Sequence, residues 1–407
     1  MQTMEGGVTA AKGFRAAAAA AGIRYENRDD MALLTSVVPC RAAGVFTRNV
    51  VQAAPVERDR ALLAEGLNVR AVLVNAGVAN ACTGEDGRKR CERSAQAVAE
   101  AMGIPETEVL TASTGVIGAK LPVKKMKEVI PQMVSSLQGD ASSANAAAKA
   151  IMTTDTHEKE CALSFELAGC VCHIGGMAKG SGMIHPDMGT MLAFVTTDAL
   201  VERTLLQEAL QAAADETFNM ISVDGDTSTN DTLLLLASGT AKNPEIREKD
   251  ESYQTFFEAL VTVCRTLAKQ LAADGEGATA LMEVEVRGAK TLAEARTLAR
   301  SVTASSLTKA ALNGHDANWG RILCALGYAG VAFSPEKVSL DIKSAAGELT
   351  LFADGAPQEY EEQDAAKILS EAEVTIIADL HDGEAAATAW GCDLSKEYVA
   401  INADYRS

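Results

Sequence analysis

The stretch Lys179-Gly-Ser-Gly-Met-Ile-His-Pro-Asp-Met-Gly-Thr190-Met-Leu-Ala-Phe-Val-Thr-Thr-Asp198 decides how this chain is read. A polar, glycine-rich run passes at Gly189–Thr190 into a short run of β-branched and apolar residues. Gly189 has no Cβ, so its backbone tolerates strained geometry and lets a neighbouring group approach its carbonyl. Thr190 sets a hydroxyl beside that carbonyl. Attack by this hydroxyl on the preceding peptide bond would leave a new chain beginning at Thr190. Such a threonine holds nucleophile and base in one residue, because its own α-amine (pKa roughly 7.7–8.0) accepts the hydroxyl proton. A Gly-Thr pair alone carries little weight, since a threonine that starts a strand suits a sheet by its branched side chain. The surrounding context carries the rest.

Outward from this point, strand-like and helix-like patterns interleave. Helical spacing is clearest in Arg88–Met102, Lys124–Gln138, Ser142–Met152, Val201–Ala213, Glu251–Ala273 and Leu292–Leu312. Strand-like runs are Ala71–Asn75, Ser164–Ile174, Met191–Thr197, Leu281–Arg287, Lys337–Ile342 and Val374–Asp379. Interleaving in both halves predicts an α/β or α+β sandwich with sheets in the middle. The glycine-rich stretch between Ile174 and Met191 would place Thr190 at a strand's start, exposed at the sheet edge. Val399-Ala-Ile-Asn alternates like a strand, which would tie the C-terminal tail into a sheet.

The 407 residues suffice for two or three units of ordinary size or for one large intertwined domain, and no internal repeat or low-complexity linker divides them. Apolar residues make up 47% and aromatic residues only 4%, so the core is built from Ala, Val and Leu. A net charge of −18, with no basic stripe to offset 55 acidic residues, argues against nucleic acid. Anionic substrates would need a local positive site. The run Ala16–Gly22 is too short to span a bilayer and is read as part of the mature fold, not as a signal segment. Nine scattered cysteines lack Cys-x-x-Cys and zinc spacing, which predicts free thiols in a reducing cytoplasm and no metal. No phosphate-binding glycine motif and no Gly-x-Ser-x-Gly elbow is present.

Many further segments resemble, in order, those of the ornithine acetyltransferase (glutamate N-acetyltransferase) family of arginine biosynthesis. They include Gly7-Val-Thr-Ala-Ala-Lys-Gly-Phe14, Ala43-Gly-Val-Phe-Thr-Arg-Asn49, Val74-Asn-Ala-Gly-Val-Ala-Asn-Ala-Cys-Thr-Gly84 and Ser113-Thr-Gly-Val-Ile-Gly118. Ile151-Met-Thr-Thr-Asp-Thr156, Asp224-Gly-Asp-Thr-Ser-Thr-Asn-Asp231, Asp274-Gly-Glu-Gly-Ala-Thr279, His315-Asp-Ala-Asn-Trp-Gly-Arg321 and the C-terminal Tyr398–Ser407 continue it. The departures are local: Gly189 stands where alanine is more frequent and Asp187 where asparagine is usual.

The resemblance implies an α/β/β/α layered fold of the self-processing, N-terminal-nucleophile kind. It implies cleavage between Gly189 and Thr190 into residues 1–189 and 190–407, which stay one intertwined unit, assembled as two of each fragment. Thr190 would be the nucleophile, with the Thr114 hydroxyl and the Gly115 N–H as oxyanion donors. Thr154, Lys179, Glu276, Asn402 and Ser407 would contact substrate alongside Thr190. N2-acetyl-L-ornithine and L-glutamate are the implied substrates; no cofactor is implied, and acetyl-CoA as a further donor is left open. Taken alone, Ser113-Thr-Gly is an ordinary turn, Lys179 a surface lysine, Thr154 a helix cap, Glu276 a helix stop and the tail a frayed end. An N-terminal-nucleophile aminopeptidase or amidase is the nearest alternative, and a non-catalytic binding protein of the same fold is a second.

Overall fold

The computed structural model describes residues 1–185 and 191–404 and divides into two compact units. The first takes in residues 1–180, 187–219 and 227–267, and the second residues 181–186, 220–226 and 268–407.

The first unit is built on strands β1 (Gln2–Met4), β2 (Phe14–Ala19), β3 (Met31–Phe46), β4 (Val69–Asn75), β5 (Val109–Ser113), β6 (Lys159–Leu167), β7 (Cys170–Lys179) and β8 (Leu192–Thr197). β9 (Ile221–Ser222) belongs to the second unit, and β10 (Thr232–Ala237) completes the first. Its helices are α1 (Ala54–Ala64), α2 (Gly84–Met102), α3 (Val123–Ser135), α4 (Ala141–Ala150), α5 (Arg203–Glu216) and α6 (Glu251–Ala273) as far as Leu267.

β3 joins two sheet layers. Its residues 31–36 pair with β2 on one side, and residues 31–35 with β4 on the other; residues 41–46 pair with β10. The register shifts between Thr35 and Cys40, and Pro39, which has no N–H to give a ladder, lies in that gap. One layer is β1-β6-β7-β8-β10 with the end of β3; the other is β2, the start of β3, β4 and β5. Between them lies a core that includes Leu34, Val72, Val74, Leu110, Phe194 and Leu234, with Ala147 and Ile151 at and just beyond α4. Alternation along the second layer sends Met31, Leu33, Ala71 and Leu73 to its outer face, against Val98 of α2 and Met126 and Ile130 of α3. The first layer is covered by α5 and α6: Phe165 and Phe256 rings lie 6.5 Å apart, and Leu267 abuts Gly176. The order helix–sheet–sheet–helix is the expected α/β/β/α sandwich.

β5 is an edge strand, and two side chains of α1 close it. Asp59 accepts from the Thr111 N–H through both oxygens, at 2.9 and 3.2 Å, and Arg58 donates to the Val109 carbonyl at 2.7 Å. An open row of backbone groups would otherwise invite a foreign strand.

In the second unit β11 (Leu281–Ala289), β12 (Ser339–Ser344), β13 (Gly347–Ala353), β14 (Ala356–Pro357), β15 (Glu373–Asp379) and β16 (Ala385–Cys392) join β9 in the order β14-β13-β12-β15-β11-β16-β9. Its helices are α7 (Leu292–Ala304), α8 (Ser306–Asn313), α9 (Trp319–Gly327), α10 (Glu362–Leu369) and α11 (Lys396–Ala403). Met282, Val284 and Val286 are buried in β11, as Val374, Ile376 and Ala378 are in β15, with α7 packed against β11 and β16.

Four expectations are corrected. The run 164–174 is a hairpin, because Ala168 (φ 49°) and Gly169 (φ 79°) form a two-residue turn between β6 and β7. The helix expected over 292–312 breaks at Ser305, whose extended backbone ends α7 and whose hydroxyl caps α8 by accepting from the Thr308 N–H. Residues 399–402 lie in α11, capped by Ser395, and not in a strand. β8 is an interior strand, between β7 and β10, so its start lies at the end of the sheet and not at a lateral edge.

Burial pushes the Asp59 carboxyl up to about 7, outweighing Arg58 and the Thr111 N–H, which pull it down. Since the folded value lies above the unfolded one, this group's contribution to stability is full below about pH 4 and is lost as the pH rises through about 7. Asp59→Asn keeps an acceptor for Thr111 and removes the titration. Urea midpoints of the two proteins should therefore converge or cross in the variant's favour between about pH 4 and pH 8. Parallel curves would contradict the assignment.

Candidate active site

Strand β5 delivers Thr114 and Gly115 to a turn held from several sides. The Thr114 N–H donates to the Asn75 carbonyl at 3.0 Å, and the Ser113 hydroxyl to Asn75 Oδ1 at 2.7 Å. Asn230 Nδ2 donates to both the Ala79 and the Ser113 carbonyls, each at 2.7 Å. Gly115 has φ 129°, and a Cβ there would lie 2.2 Å from the carbonyl carbon of Gly77. Only glycine fits both constraints. The Gly115 N–H donates to none of the described residues, while its neighbour Val116 bonds to the Gly77 carbonyl at 3.1 Å. A fixed N–H beside a threonine hydroxyl is what a developing oxyanion needs.

Lys179 ends β7 and is 3% exposed, so it is not a surface lysine. Its Nζ donates to Thr153 Oγ1 at 2.8 Å and to Thr114 Oγ1 at 3.3 Å, and stands 3.7 Å from Asp155 Oδ2. Asp155 accepts from buried Lys159 at 2.8 Å, the Gly180 N–H at 2.6 Å and the Thr153 N–H at 3.0 Å. Burial pushes the Asp155 carboxyl up, but the ammoniums of Lys179 and Lys159 and these hydrogen bonds outweigh it and hold it well below the usual carboxylate range. Two lysines thus surround one buried carboxylate in a chain that is acidic overall.

The sheet register brings the two ends of the glycine-rich stretch to one place. Lys179 pairs with Leu192, and Leu192 with Thr232. Met191, the residue after Thr190 in the chain, gives its N–H to Asp231 Oδ1 at 2.9 Å, and its carbonyl accepts from the Thr232 N–H at 3.1 Å. Gly189, Thr190 and Ser407 themselves lie outside the described residues.

In the second unit Glu276 sits in the turn after α6, with its N–H on the Ser181 carbonyl at 2.8 Å. Asn402 of α11 donates to Glu276 Oε2 at 2.7 Å. Gly182 leaves room for that carboxylate, since a Cβ there would lie 2.4 Å from it. Asp224 accepts from the N–H groups of Met183 at 2.5 Å and Ile184 at 2.9 Å, and from the Tyr398 hydroxyl at 3.2 Å. His185 lies in a loop, with Nδ1 3.0 Å from the Ser222 hydroxyl.

Of the expected residues, Thr114, Gly115 and Lys179 come together in the first unit, and Glu276 and Asn402 in the second. The Thr154 hydroxyl takes no part in these hydrogen bonds; its neighbour Thr153 holds Lys179 instead. Sequence reasoning missed Thr153, Asp155, Lys159, Asn230 and Asp231. Asp155 and Asp231 both lie in motifs that were legible, but nothing in a motif tells which acid is buried. Among the described residues no cluster of His, Cys, Asp and Glu could hold a metal ion, and no helix is long and apolar enough to cross a membrane.

A four-layer sandwich with a threonine hydroxyl, the N–H of the next residue and a buried cation at its strand ends defines a class of layered α/β proteins. The family model described as the ArgJ family matches residues 15–407, and the chain belongs to that family. It is 51% identical over its whole length, and over all of the relative's, to the arginine biosynthesis bifunctional protein ArgJ of Symbiobacterium thermophilum. Against the protein of that name from Thermotoga neapolitana the identity is 46%, over 93% of this chain and 95% of the relative. The crystal structure of ArgJ from Bacillus halodurans matches with a TM-score of 0.50 and 46% identity, covering 52% of this chain and 98% of that one.

Gly115→Ala should fold with a melting temperature lower by several degrees, because about 1–3 kcal/mol of backbone strain enters at one turn. Turnover should fall far more than substrate affinity, because the Gly115 N–H is displaced. Unchanged kinetics would remove Gly115 from the site.

Proposed function

We propose that this chain transfers the acetyl group of N2-acetyl-L-ornithine to L-glutamate through an acetyl ester on Thr190, after cleaving itself between Gly189 and Thr190. Family membership makes it an acyltransferase of arginine biosynthesis, a glutamate N-acetyltransferase. The observation that carries the finer reading is the strand register. It sets Lys179 opposite Leu192, two residues after Thr190, with the Thr114 hydroxyl 3.3 Å from the Lys179 ammonium.

In the first half-reaction the Thr190 hydroxyl attacks the acetyl carbonyl, and its α-amine takes the proton. The Thr114 hydroxyl and Gly115 N–H receive the oxyanion. The tetrahedral intermediate collapses, the proton passes to the leaving amine, and ornithine departs. In the second, the amine of glutamate attacks the ester and releases Thr190. Lys179 supplies the positive charge for a substrate carboxylate, and Thr154, Glu276, Asn402 and Ser407 are the further substrate contacts. The two half-reactions share one covalent intermediate, so the kinetics are ping-pong.

Fragments 1–189 and 190–407 remain together on this reading. Support comes from β8, which lies after the bond and is laddered to β7, which lies before it. We place the enzyme in the cytoplasm as two of each fragment, without a cofactor. The word bifunctional in the relatives' names fits acetyl-CoA as a second donor.

Thr190→Ala should give a single inactive chain by intact-mass measurement, since both steps use the hydroxyl. Two fragments from that variant would contradict the mechanism. Thr114→Ala should lower kcat about 10²-fold with little change in KM, as for a donor used in the transition state. A raised KM with normal kcat would make Thr114 a binding residue. Release of ornithine that is equally fast with and without glutamate would favour the amidase alternative.

A further inference from the structure

Helix α11 carries Asn402, yet none of its residues is buried, and its Val399 is 67% exposed. Eight residues are too few to hold a helix in water unaided. Its position therefore rests on polar ties. Among the described residues three side-chain hydrogen bonds supply them, all within the second unit. The hydroxyl of Ser395, the N-cap, donates to the Gly277 carbonyl at 2.6 Å. The Tyr398 hydroxyl donates to Asp224 Oδ2 at 3.2 Å, and Asn402 Nδ2 to Glu276 Oε2 at 2.7 Å.

The surface beneath the helix is shaped for this contact. Gly277 has φ 71°, and a Cβ there would lie 2.7 Å from the Tyr398 nitrogen, so the first turn of α11 rests on its backbone. Tyr398 and Asn402 are four residues apart, on one face of the helix, and Asn402 Nδ2 also donates to the Tyr398 carbonyl at 3.0 Å. Asp224 takes the Tyr398 hydroxyl in addition to the N–H groups of Met183 and Ile184. It keeps those two donors when the hydroxyl is removed, so that loss costs the tie and strands no buried acceptor.

We propose that Tyr398 is a positioning residue for Asn402: its hydrogen bond to Asp224 latches α11 down, so that Asn402 and Glu276 meet the substrate together. This rests on the reading of Asn402 and Glu276 as substrate contacts. A short helix held by three partly buried hydrogen bonds, each worth little net, stands close to balance between docked and released. Substrate that touches both Asn402 and Glu276 binds the docked form. Its apparent affinity therefore falls with the fraction of molecules in which α11 is docked.

Tyr398→Phe removes the hydroxyl and keeps the ring. In acetylornithine–glutamate exchange, KM for acetylornithine should rise about 5-fold with kcat within about 2-fold of wild type. The melting temperature should be little changed, since α11 adds nothing to the core. Hydrogen–deuterium exchange should quicken by about 5-fold in the amides of residues 399–403 and not in β11 or β16, and saturating acetylornithine should restore protection. Ser395→Ala loosens the same helix from its other end and should reproduce both effects. Unchanged KM or unchanged exchange in Tyr398→Phe would overturn the latch, as would a fall in kcat with KM unaltered. A clearly lowered melting temperature would overturn it too, by making Tyr398 a residue of the fold. Asn402→Ala is run beside them. Wild-type KM in that control overturns the substrate-contact reading, and the latch with it; a raised KM there beside wild-type kinetics in Tyr398→Phe overturns the latch alone.

Discussion

Everything at the candidate site depends on one strand being held from both sides. Each residue of β8 is buried, with β7 antiparallel on one flank and β10 parallel on the other. A strand so enclosed must be apolar on both faces, and Leu-Ala-Phe-Val-Thr-Thr comes close to that. Its threonines are not wasted polarity, since Thr196 Oγ1 donates to the Val8 carbonyl at 2.9 Å and Thr197 Oγ1 to the His173 carbonyl at 2.9 Å. A slip of one residue would turn the strand's faces over and strand those hydroxyls, so the register is fixed. With it is fixed the neighbourhood of Lys179, Met191 and Asp231.

Electrostatics in the first unit run against the global charge. A chain of net charge −18 gathers two buried ammoniums around Asp155, close to the Thr114 hydroxyl. Burying charges is unfavourable unless geometry and hydrogen bonds compensate, and here the carboxylate is saturated by two backbone N–H groups and two lysines. Asp231, in the same unit, is shifted the other way: burial outweighs the Met191 N–H, Thr47 and Lys179 and drives its carboxyl well above the usual carboxylate range. Two aspartates of like sequence character thus have carboxyls shifted in opposite directions by their surroundings alone.

The layered fold was legible because its helices carry clear 3.6-residue spacing; Glu251–Ala273 came out with the bounds read from the sequence. β2 hid in a run of alanines, whose side chain favours neither state strongly, and β3 hid because Pro39 and Gly44 punctuate a strand that changes sheets. The tail misled for a different reason: Val399-Ala-Ile-Asn fits a strand in four residues, but Ser395 caps a helix that only an eight-residue view shows. At the site, residue types with a fixed chemical role, such as Gly115 and Lys179, could be picked out through the resemblance. Partners that matter by burial, such as Asp155 and Asp231, could not, since burial is set by the sheet and not by the neighbouring letters.

The central claim is that an acetyl group resides on Thr190 between two half-reactions. The most direct measurement is to mix the cleaved protein with N2-acetyl-L-ornithine in the absence of glutamate, quench with acid, and weigh and map the fragments. The account predicts one added acetyl group on the 190–407 fragment, placed on Thr190 by peptide mapping, with an equal amount of ornithine released and the label lost when glutamate is added. Steady turnover with no acetylated fragment, or an acetyl group on another residue, would contradict it.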